Sequence, residues 1–322
     1  MLGKFMASKF RGIYFLKNLL LASANSKLFR RKRAEICPQK FFRYFATGPI
    51  WKKLFKSKLT RIAFYYLLIL ILAAVFIPML SSADPNYFDT TLANEPEPPN
   101  IRHIFGTDDL GRDLFIRCIH GARISLSVGF ISVGISIFIG IIIGLVSGYV
   151  SGFLDEIIMR IIELFMAIPK IFLLLIIQVL LKPSIFNVMV VIGLTSWMGV
   201  SRLVRSEVLS IKERDFIVAA KARGCNHWRI LFKHILPHIL NPVIVAAMLG
   251  IGNAILIESV LSFLGLGVQP PHASWGNMLE NSLLYMSQAP WMTIIPGTLI
   301  TLTVLAINFL GDGLRSCLDT KN

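Results

Sequence analysis

The sequence predicts an all-α membrane protein whose helices cross the bilayer six times. Of the 322 residues, 55% are hydrophobic and only 16% are charged, and the mean hydropathy of +0.67 is far above that of a soluble domain. Six apolar runs are long enough to span a bilayer, which takes about 20 residues each. Lysine and arginine are concentrated beside these runs, as membrane topology requires. The formal net charge of +15 is therefore attributed to topology and not to nucleic-acid binding.

The spans follow from the positions of the apolar runs. We predict transmembrane helices at 62–80, 124–149, 161–181, 186–204, 239–265 and 291–311. Pro169 lies inside the third run, and proline removes a helical N–H donor, so a kink or break is expected there.

Orientation follows from the charges that flank the spans. Residues 1–61 carry sixteen lysines and arginines against one acid, and 81–123 carry seven acids and few bases. The positive-inside rule then places both termini and the basic loop 205–238 in the cytoplasm, and 81–123 outside it. We expect the tail 1–61 to be a basic cytoplasmic segment lying on anionic lipid. Residues 124–322, with the second to sixth spans, form the predicted membrane core.

Three glycines recur at every fourth position of the second span. Gly140, Gly144 and Gly148 form a GxxxGxxxG series. Small residues at this spacing line one helix face and let a second helix approach closely. The alternative is the ordinary enrichment of glycine in membrane helices.

A basic segment, 215–237, separates the fourth and fifth spans. After Gly224, Trp228 begins an apolar series at i, i+3, i+4 and i+7 that ends at Ile235. Glycine accepts positive φ at little cost, and Pro237 stops or bends the chain. These residues predict two short helices joined at a glycine. They leave two roles open, a docking surface for a partner or an interfacial loop on lipid.

Several kinds of chemistry lack their sequence patterns. No G-x-x-x-x-G-K-[ST] occurs, so the chain itself has no phosphate-binding loop for ATP, and no nucleophile–base constellation indicates an enzyme. His234 and His238 are four apart but have Pro237 between them, so we expect no metal. Glu258 lies in the fifth span, where an ionisable group is either functional or snorkels to water.

Within the basic segment, "AAKARG" followed by "HILP" resembles the EAA signature of importer-type ABC transporter permeases, which docks on the ATPase subunit. Val218 stands at the usual acidic position, and His234 at a usual isoleucine position. The resemblance implies an ATPase-coupling loop made of Ala219, Ala220, Gly224, Cys225, Asn226, His227, Leu236 and Pro237.

Three further stretches narrow the family. "HIFGTDDLGRDLFIRCIHGARISL", "ESVLSFLGLGVQPPHASWGNML" and "NFLGDGLRSCLD" resemble dipeptide, oligopeptide and nickel permeases, and the likeness runs from about residue 60 to 320. It implies the type I ABC importer permease fold and the C-type peptide permease subunit. It also places a segment on the outer face as a candidate contact for a binding protein: Gly106, Thr107, Asp108, Asp109, Gly111, Arg112 and Asp113. The alternative is a structural lid whose acids cap the second span.

The resemblance implies a subunit of an ATP-driven importer that carries peptides across the inner membrane. It implies three kinds of partner besides the bilayer and the peptide: a second homologous permease, ATPase subunits that hold ATP and Mg²⁺, and an extracytoplasmic solute-binding protein. No cofactor or metal is expected on this chain. Nickel or glutathione import by the same family remains an alternative, as does, from a different class, a stand-alone secondary carrier or channel.

Overall fold

A computed structural model describes residues 53–80, 84–87 and 95–318, and this part of the chain is almost entirely helical. Most of the predicted tail 1–61 lies outside the described residues. The helices are α1 (Lys58–Leu80), α2 (Leu114–Val150), α3 (Phe153–Ala167), α4 (Lys170–Leu180), α5 (Ile185–Lys212), α6 (Asp215–Ala222), α7 (His227–Phe263), α8 (Trp275–Ser282) and α9 (Trp291–Leu318). A 3₁₀ turn, Leu283–Tyr285, follows α8.

Five of these helices, α1, α2, α5, α7 and α9, are long and apolar enough to cross a membrane. The pair α3 and α4 makes a sixth span if it is taken as one, although it bends by 84° between its halves. The break lies at Pro169, as its sequence predicts. Ile168 is extended, with φ −83° and ψ 126°, because the residue before proline avoids the α conformation. The predicted span at 161–181 is therefore two helices and not one.

Most helices are longer than the predicted apolar runs. α2 begins at Leu114 and not at residue 124, so 81–123 is not all loop. α5 continues to Lys212 and not to 204. Hydropathy marks only the apolar part of a helix, whereas the helix itself continues to a capping residue. Asp113 caps α2 because its carboxylate accepts a hydrogen bond of 3.0 Å from the backbone N–H of Ile116.

The glycine series of α2 lies against α5. At Gly144, an added Cβ would be 2.6 Å from the carbonyl oxygen of Ser201. At Gly140 and Gly148, it would be 2.6 Å and 2.8 Å from the Cβ atoms of valines on α5. Any side chain at these positions would push the two helices apart, so the series sets the distance between them.

A buried polar cluster closes the end of the bundle that carries residues 106–113, called here the rim end. Glu258 of α7 is fully buried and accepts hydrogen bonds from Ser125 (3.0 Å) and Ser262 (2.8 Å). The snorkelling alternative for this carboxyl is therefore wrong. Trp275 of α8 is also fully buried, and its indole N–H donates to the carbonyl oxygen of Cys118 in α2 at 3.0 Å.

A second hydrophobic core lies at the opposite end of the bundle, called here the coupling end. It is separate from the main core, which packs α1, α2, α5, α7, α8 and α9 together. Its buried members come from α2, α5, α6 and α7: Leu145, Val204, Val208, Ile211, Ile217, Ile230, Ile235, Ile239 and Val243. This core holds the segment 215–237 against the membrane helices.

Candidate functional site

The turn between α6 and α7 is closed by backbone hydrogen bonds around Gly224. The N–H of Gly224 donates to the carbonyl oxygen of Lys221 at 2.9 Å, and the N–H of Cys225 donates to that of Ala220 at 3.1 Å. This pair is the Schellman pattern that ends helices, and it needs a left-handed residue at its centre. Gly224 has φ +74°, as the sequence prediction of positive φ requires. Asn226 then caps α7 by accepting from the N–H of Trp228.

Side-chain contacts attach this turn to the membrane helices. Ile217 and Ala220 on α6 are fully buried, and Ile217 belongs to the core of the coupling end. His227, at the start of α7, hydrogen-bonds through Nδ1 to the hydroxyl of Tyr149 at 2.7 Å. The ammonium of Lys221 lies 5.7 Å from the centre of the same tyrosine ring. Tyr149 lies in the last turn of α2, so residues on both sides of the Gly224 turn are attached to this one membrane helix.

The second half of the predicted helix pair is not a short helix. α7 runs without interruption from His227 to Phe263, and Pro237 lies inside it. A π-helical turn, Ile230–Ile235, comes directly before the proline. The wider turn accommodates the missing N–H and the ring of a proline that otherwise breaks a helix. The expectation that Pro237 stops the helix is therefore wrong.

The apolar face that the sequence predicts after Gly224 is split between buried and exposed positions. Ile235 is fully buried, but Trp228 is 67% exposed and Phe232 is 55% exposed, with their rings stacked at a centroid distance of 5.7 Å. The π-helical turn changes the spacing of the faces, so Ile230 takes an inward position. With the exposed Val218 on α6, the two rings supply large apolar side chains to the outside of the coupling end. Exposed apolar groups gathered in this way are typical of a protein contact surface.

An ion pair that the sequence analysis missed braces the same end. Asp155 of α3 accepts two hydrogen bonds from the guanidinium of Arg205 in α5, both of 2.6 Å. The hydroxyl of Ser147 in α2 donates to the same carboxylate. Three membrane helices thus meet at one acid. The sequence signal was an acid in the connection between the second and third predicted spans, 124–149 and 161–181, and its partner lies 50 residues away.

At the rim end, Asp108 lies inside an ion-pair cluster and not on the surface. Its Oδ2 is 2.7 Å from Nε of Arg112 and 3.4 Å from Nε of Arg117, and all three side chains are almost fully buried. Asp109 beside it is partly buried, and its Oδ1 has no hydrogen-bond partner among the described residues. Burial, followed by the nearby charge of Asp108, raises the pKa of the Asp109 carboxyl.

The backbone around these acids is a closed loop. Gly106 and Gly111 have φ of +78° and +71°, and Thr107 pairs with Asp113 in an isolated antiparallel bridge. Asp113 also lies 2.8 Å from Nδ1 of His103. This geometry is that of the lid alternative, since the acids cap and brace the start of α2. Contact between this segment and a binding protein stays a prediction, and Asp108 would not be a direct part of it.

The histidines His234 and His238 lie on α7, in and just after the π-helical turn. Within the described ranges, the structure groups no three His, Cys, Asp or Glu side chains that could hold a metal ion.

Two family models match the sequence. The family described as binding-protein-dependent transport system inner membrane component matches residues 140–322, and the N-terminal TM domain of oligopeptide transport permease C matches residues 48–99. The chain is 44% identical over 282 residues to the dipeptide transport system permease protein DppC of Alkalihalophilus pseudofirmus, covering 86% of this chain and 92% of that protein. It is 38% identical over 265 residues to the oligopeptide transport system permease protein OppC of Bacillus subtilis, covering 82% of this chain and 86% of that protein.

The fold also matches solved structures. A chain from inward-facing structures of the MetNI methionine ABC transporter superposes with a TM-score of 0.52 at 20% sequence identity. The match covers 62% of this chain and 95% of that one. At this identity the likeness establishes a shared fold.

Proposed function

Because the chain belongs to the family of binding-protein-dependent transport system inner membrane components, we propose that it is one of two membrane subunits of an ATP-driven peptide importer. It is a multi-pass membrane protein with the type I ABC importer permease fold. The substrate class rests on the relatives, which are named as dipeptide and oligopeptide permeases.

The observation that carries the proposal is the form of the segment 215–237. A left-handed turn, anchored in a core of its own, holds the stacked rings of Trp228 and Phe232 out at one end of the bundle. A stand-alone carrier or channel has no use for an apolar surface held in this way. An ATPase subunit that changes conformation with its bound nucleotide would contact the permease at this surface and transmit its motion through it.

The arrangement of α2 and α7 suggests how that motion reaches the substrate translocation path between the two permease subunits. α7 is continuous from the exposed rings to the buried Glu258 at the rim end, and the bond between His227 and Tyr149 joins it to α2. Closure of the ATPases on ATP would therefore move α2 and α7 together. The permease pair would alternate between facing out and facing in, a population shift driven by the different nucleotide affinities of the two states.

The orientation is part of the proposal. The coupling end, with the basic loop 205–238, is assigned to the cytoplasm together with both termini, and the rim end to the outside. Single cysteines at His227 and at the exposed Leu110 provide a matched pair for labelling of intact cells with an impermeant thiol reagent. We expect labelling at position 110 only. Preferential labelling at position 227 would refute the topology.

The docking test compares two exposed aromatic sites. In the complex with the second permease, the ATPases and the binding protein, the double variant Trp228→Ala, Phe232→Ala should weaken co-purification of the ATPase on the order of tenfold or more, as loss of paired aromatic anchors does. Phe186→Ala, an exposed aromatic at the start of α5, is the control. Undiminished co-purification and coupling in the double variant would remove the docking hypothesis.

Substrate class is tested separately, by uptake into vesicles that contain the complete complex. We expect ATP-dependent uptake of labelled dipeptides. Uptake of nickel or glutathione in place of peptides would assign the complex to the other branch of the family.

A further inference from the structure

A cavity of about 220 Å³ lies within the bundle, between α2, α5, α7 and the first residue of α4. Most of its lining is apolar, but Lys170, Ser136, Ser196 and Asn253 also face it. The ammonium of Lys170 donates a hydrogen bond of 2.8 Å to the hydroxyl oxygen of Ser196. That hydroxyl in turn donates to a backbone carbonyl of its own helix. The cavity thus contains a cation at one side and hydrogen-bonding groups around it.

This cation lies beside the middle part of α5, far from both ends of that helix. Ser196 follows Ile185 by 11 residues and precedes Lys212 by 16 within α5. At about 1.5 Å per residue, the lysine's partner is therefore about 17 Å and 24 Å from the two ends of that helix. A charged group at this depth is costly unless it is paired or lines a water-filled path. Among the carboxylates that the structure describes, none forms an ion pair with Lys170.

A second polar group in the cavity, the hydroxyl of Ser136, has no hydrogen-bond partner within the described residues. Ser136 is almost fully buried. Two other lining residues, Gly199 and Asn253, are exposed, so the cavity opens to one side of the bundle. An exposed asparagine amide inside a span indicates that this side faces a polar path and not lipid.

We propose that this cavity binds the carboxylate of the transported substrate, with the ammonium of Lys170 as its charge partner and the hydroxyl of Ser136 as a neutral donor. The inference rests on the proposed function and adds a substrate contact to it. A peptide carries a C-terminal carboxylate that is ionised at neutral pH. The volume is below that of sites which enclose whole ligands, so the cavity holds one terminus of the peptide. A bare nickel ion would be repelled by the same lysine.

The first test measures the charge of the cavity directly. Gly199→Cys places a thiol on its lining, and an added Cβ meets no atom within 4 Å there. The native cysteines are replaced, and the complete complex is labelled with a negative and a positive methanethiosulfonate reagent. Lys170→Met should lower the ratio of negative to positive labelling rates on the order of tenfold, because one charge is lost from a partly desolvated site. Lys170→Arg should keep the ratio.

Lys182→Met is the matched control. It removes one positive charge just beyond the end of α4, about 18 Å from Lys170 at the rise of an α-helix. It should leave the ratio unchanged. An unchanged ratio in Lys170→Met would overturn the proposal. So would loss of the second permease from the Lys170→Met complex but not from the Lys170→Arg complex, because the lysine would then pair with a partner's carboxylate.

The second test identifies the ligand group. During turnover with ATP and binding protein, a dipeptide should slow labelling of Gly199→Cys several-fold. The dipeptide and its C-terminal amide are then compared without binding protein, each at millimolar concentration. Under this condition the free dipeptide should slow labelling and the amide should not. Equal protection by acid and amide would overturn the carboxylate assignment. If the complex failed to transport peptides at all, the reagent ratio would still report on the cavity, so the two failures are distinguishable.

Discussion

Replacement of Gly224 separates the backbone strain of the coupling turn from its contact with an ATPase. The residue has φ +74°, and an added Cβ would meet nothing within 4 Å of this chain. The cost within the permease is therefore backbone strain alone, about 1 kcal/mol for alanine. Asparagine tolerates this conformation better than alanine does, so its strain is smaller. A strain of this size changes an equilibrium by about fivefold.

Backbone strain and contact with a partner predict opposite rankings of the alanine and asparagine variants. If strain alone matters, Gly224→Ala should impair coupling more than Gly224→Asn, and neither by more than about fivefold. If the turn enters a partner's surface, the larger asparagine should be worse than alanine, and Gly224→Asp should abolish transport while the chain still inserts. We expect the second order. Arg229→Ala is the control, since an exposed charge is worth little.

The assay is substrate-stimulated ATP hydrolysis in reconstituted vesicles, with co-purification of the ATPase measured in parallel. Alanine worse than asparagine, or full coupling in the Gly224→Asp complex, would refute contact at this turn. The segment would then be a surface helix lying on lipid.

Four further substitutions test the packing and the ion pairs by thermal unfolding in detergent. Gly144→Ala should destabilise the protein by about 1–3 kcal/mol through overpacking against α5, whereas Gly134→Ala on the same helix, with nothing within 4 Å of the new Cβ, should not; equal effects would contradict the packing role. Asp108→Asn should cost about 3 kcal/mol because it removes the buried carboxylate that pairs with both Arg112 and Arg117. Asp109→Asn should instead raise the melting temperature at neutral pH. The pKa of the Asp109 carboxyl is raised in the folded state, so ionisation of this group lowers the stability of the protein as pH rises. The gain in melting temperature from Asp109→Asn should therefore shrink at acidic pH, where the carboxyl is protonated. A gain that grows at acidic pH would contradict this reasoning. Asp155→Asn should lower the free energy of unfolding by about 2 kcal/mol, more than the loss of an exposed acid does. An effect below about 0.5 kcal/mol would show that this contact between α2, α3 and α5 is not needed for stability.

Hydropathy and single-residue stereochemistry predicted most of the architecture. The apolar runs located the membrane helices, Pro169 located the break between α3 and α4, and Gly224 located the left-handed turn. Each of these is a local property, determined by the residue and its neighbours along the chain. The start of α2 was missed because Arg117 makes that turn look polar. Its charge is balanced by Asp108 through a contact between loop and helix that hydropathy does not register.

The candidate site needed tertiary information in two places. The periodicity used for Trp228, Phe232 and Ile235 assumed 3.6 residues per turn, and the π-helical turn changed which of them face outward. The partner of Asp155 is Arg205, 50 residues away, and no spacing rule connects them. Lys170 was passed over because it lay inside an apolar run. Only the arrangement of four helices shows that it faces a cavity.

The core of the coupling end has a consequence for the order of events on the ribosome. Ile217 of α6 is synthesised before Ile239 and Val243 of α7, yet all three belong to the same buried cluster. A nascent chain that ends before residue 239 therefore lacks part of the support for its turn. We expect the docking surface to form only after the fifth span has emerged and inserted, so that ATPase subunits engage finished permeases and leave incomplete chains to proteolysis.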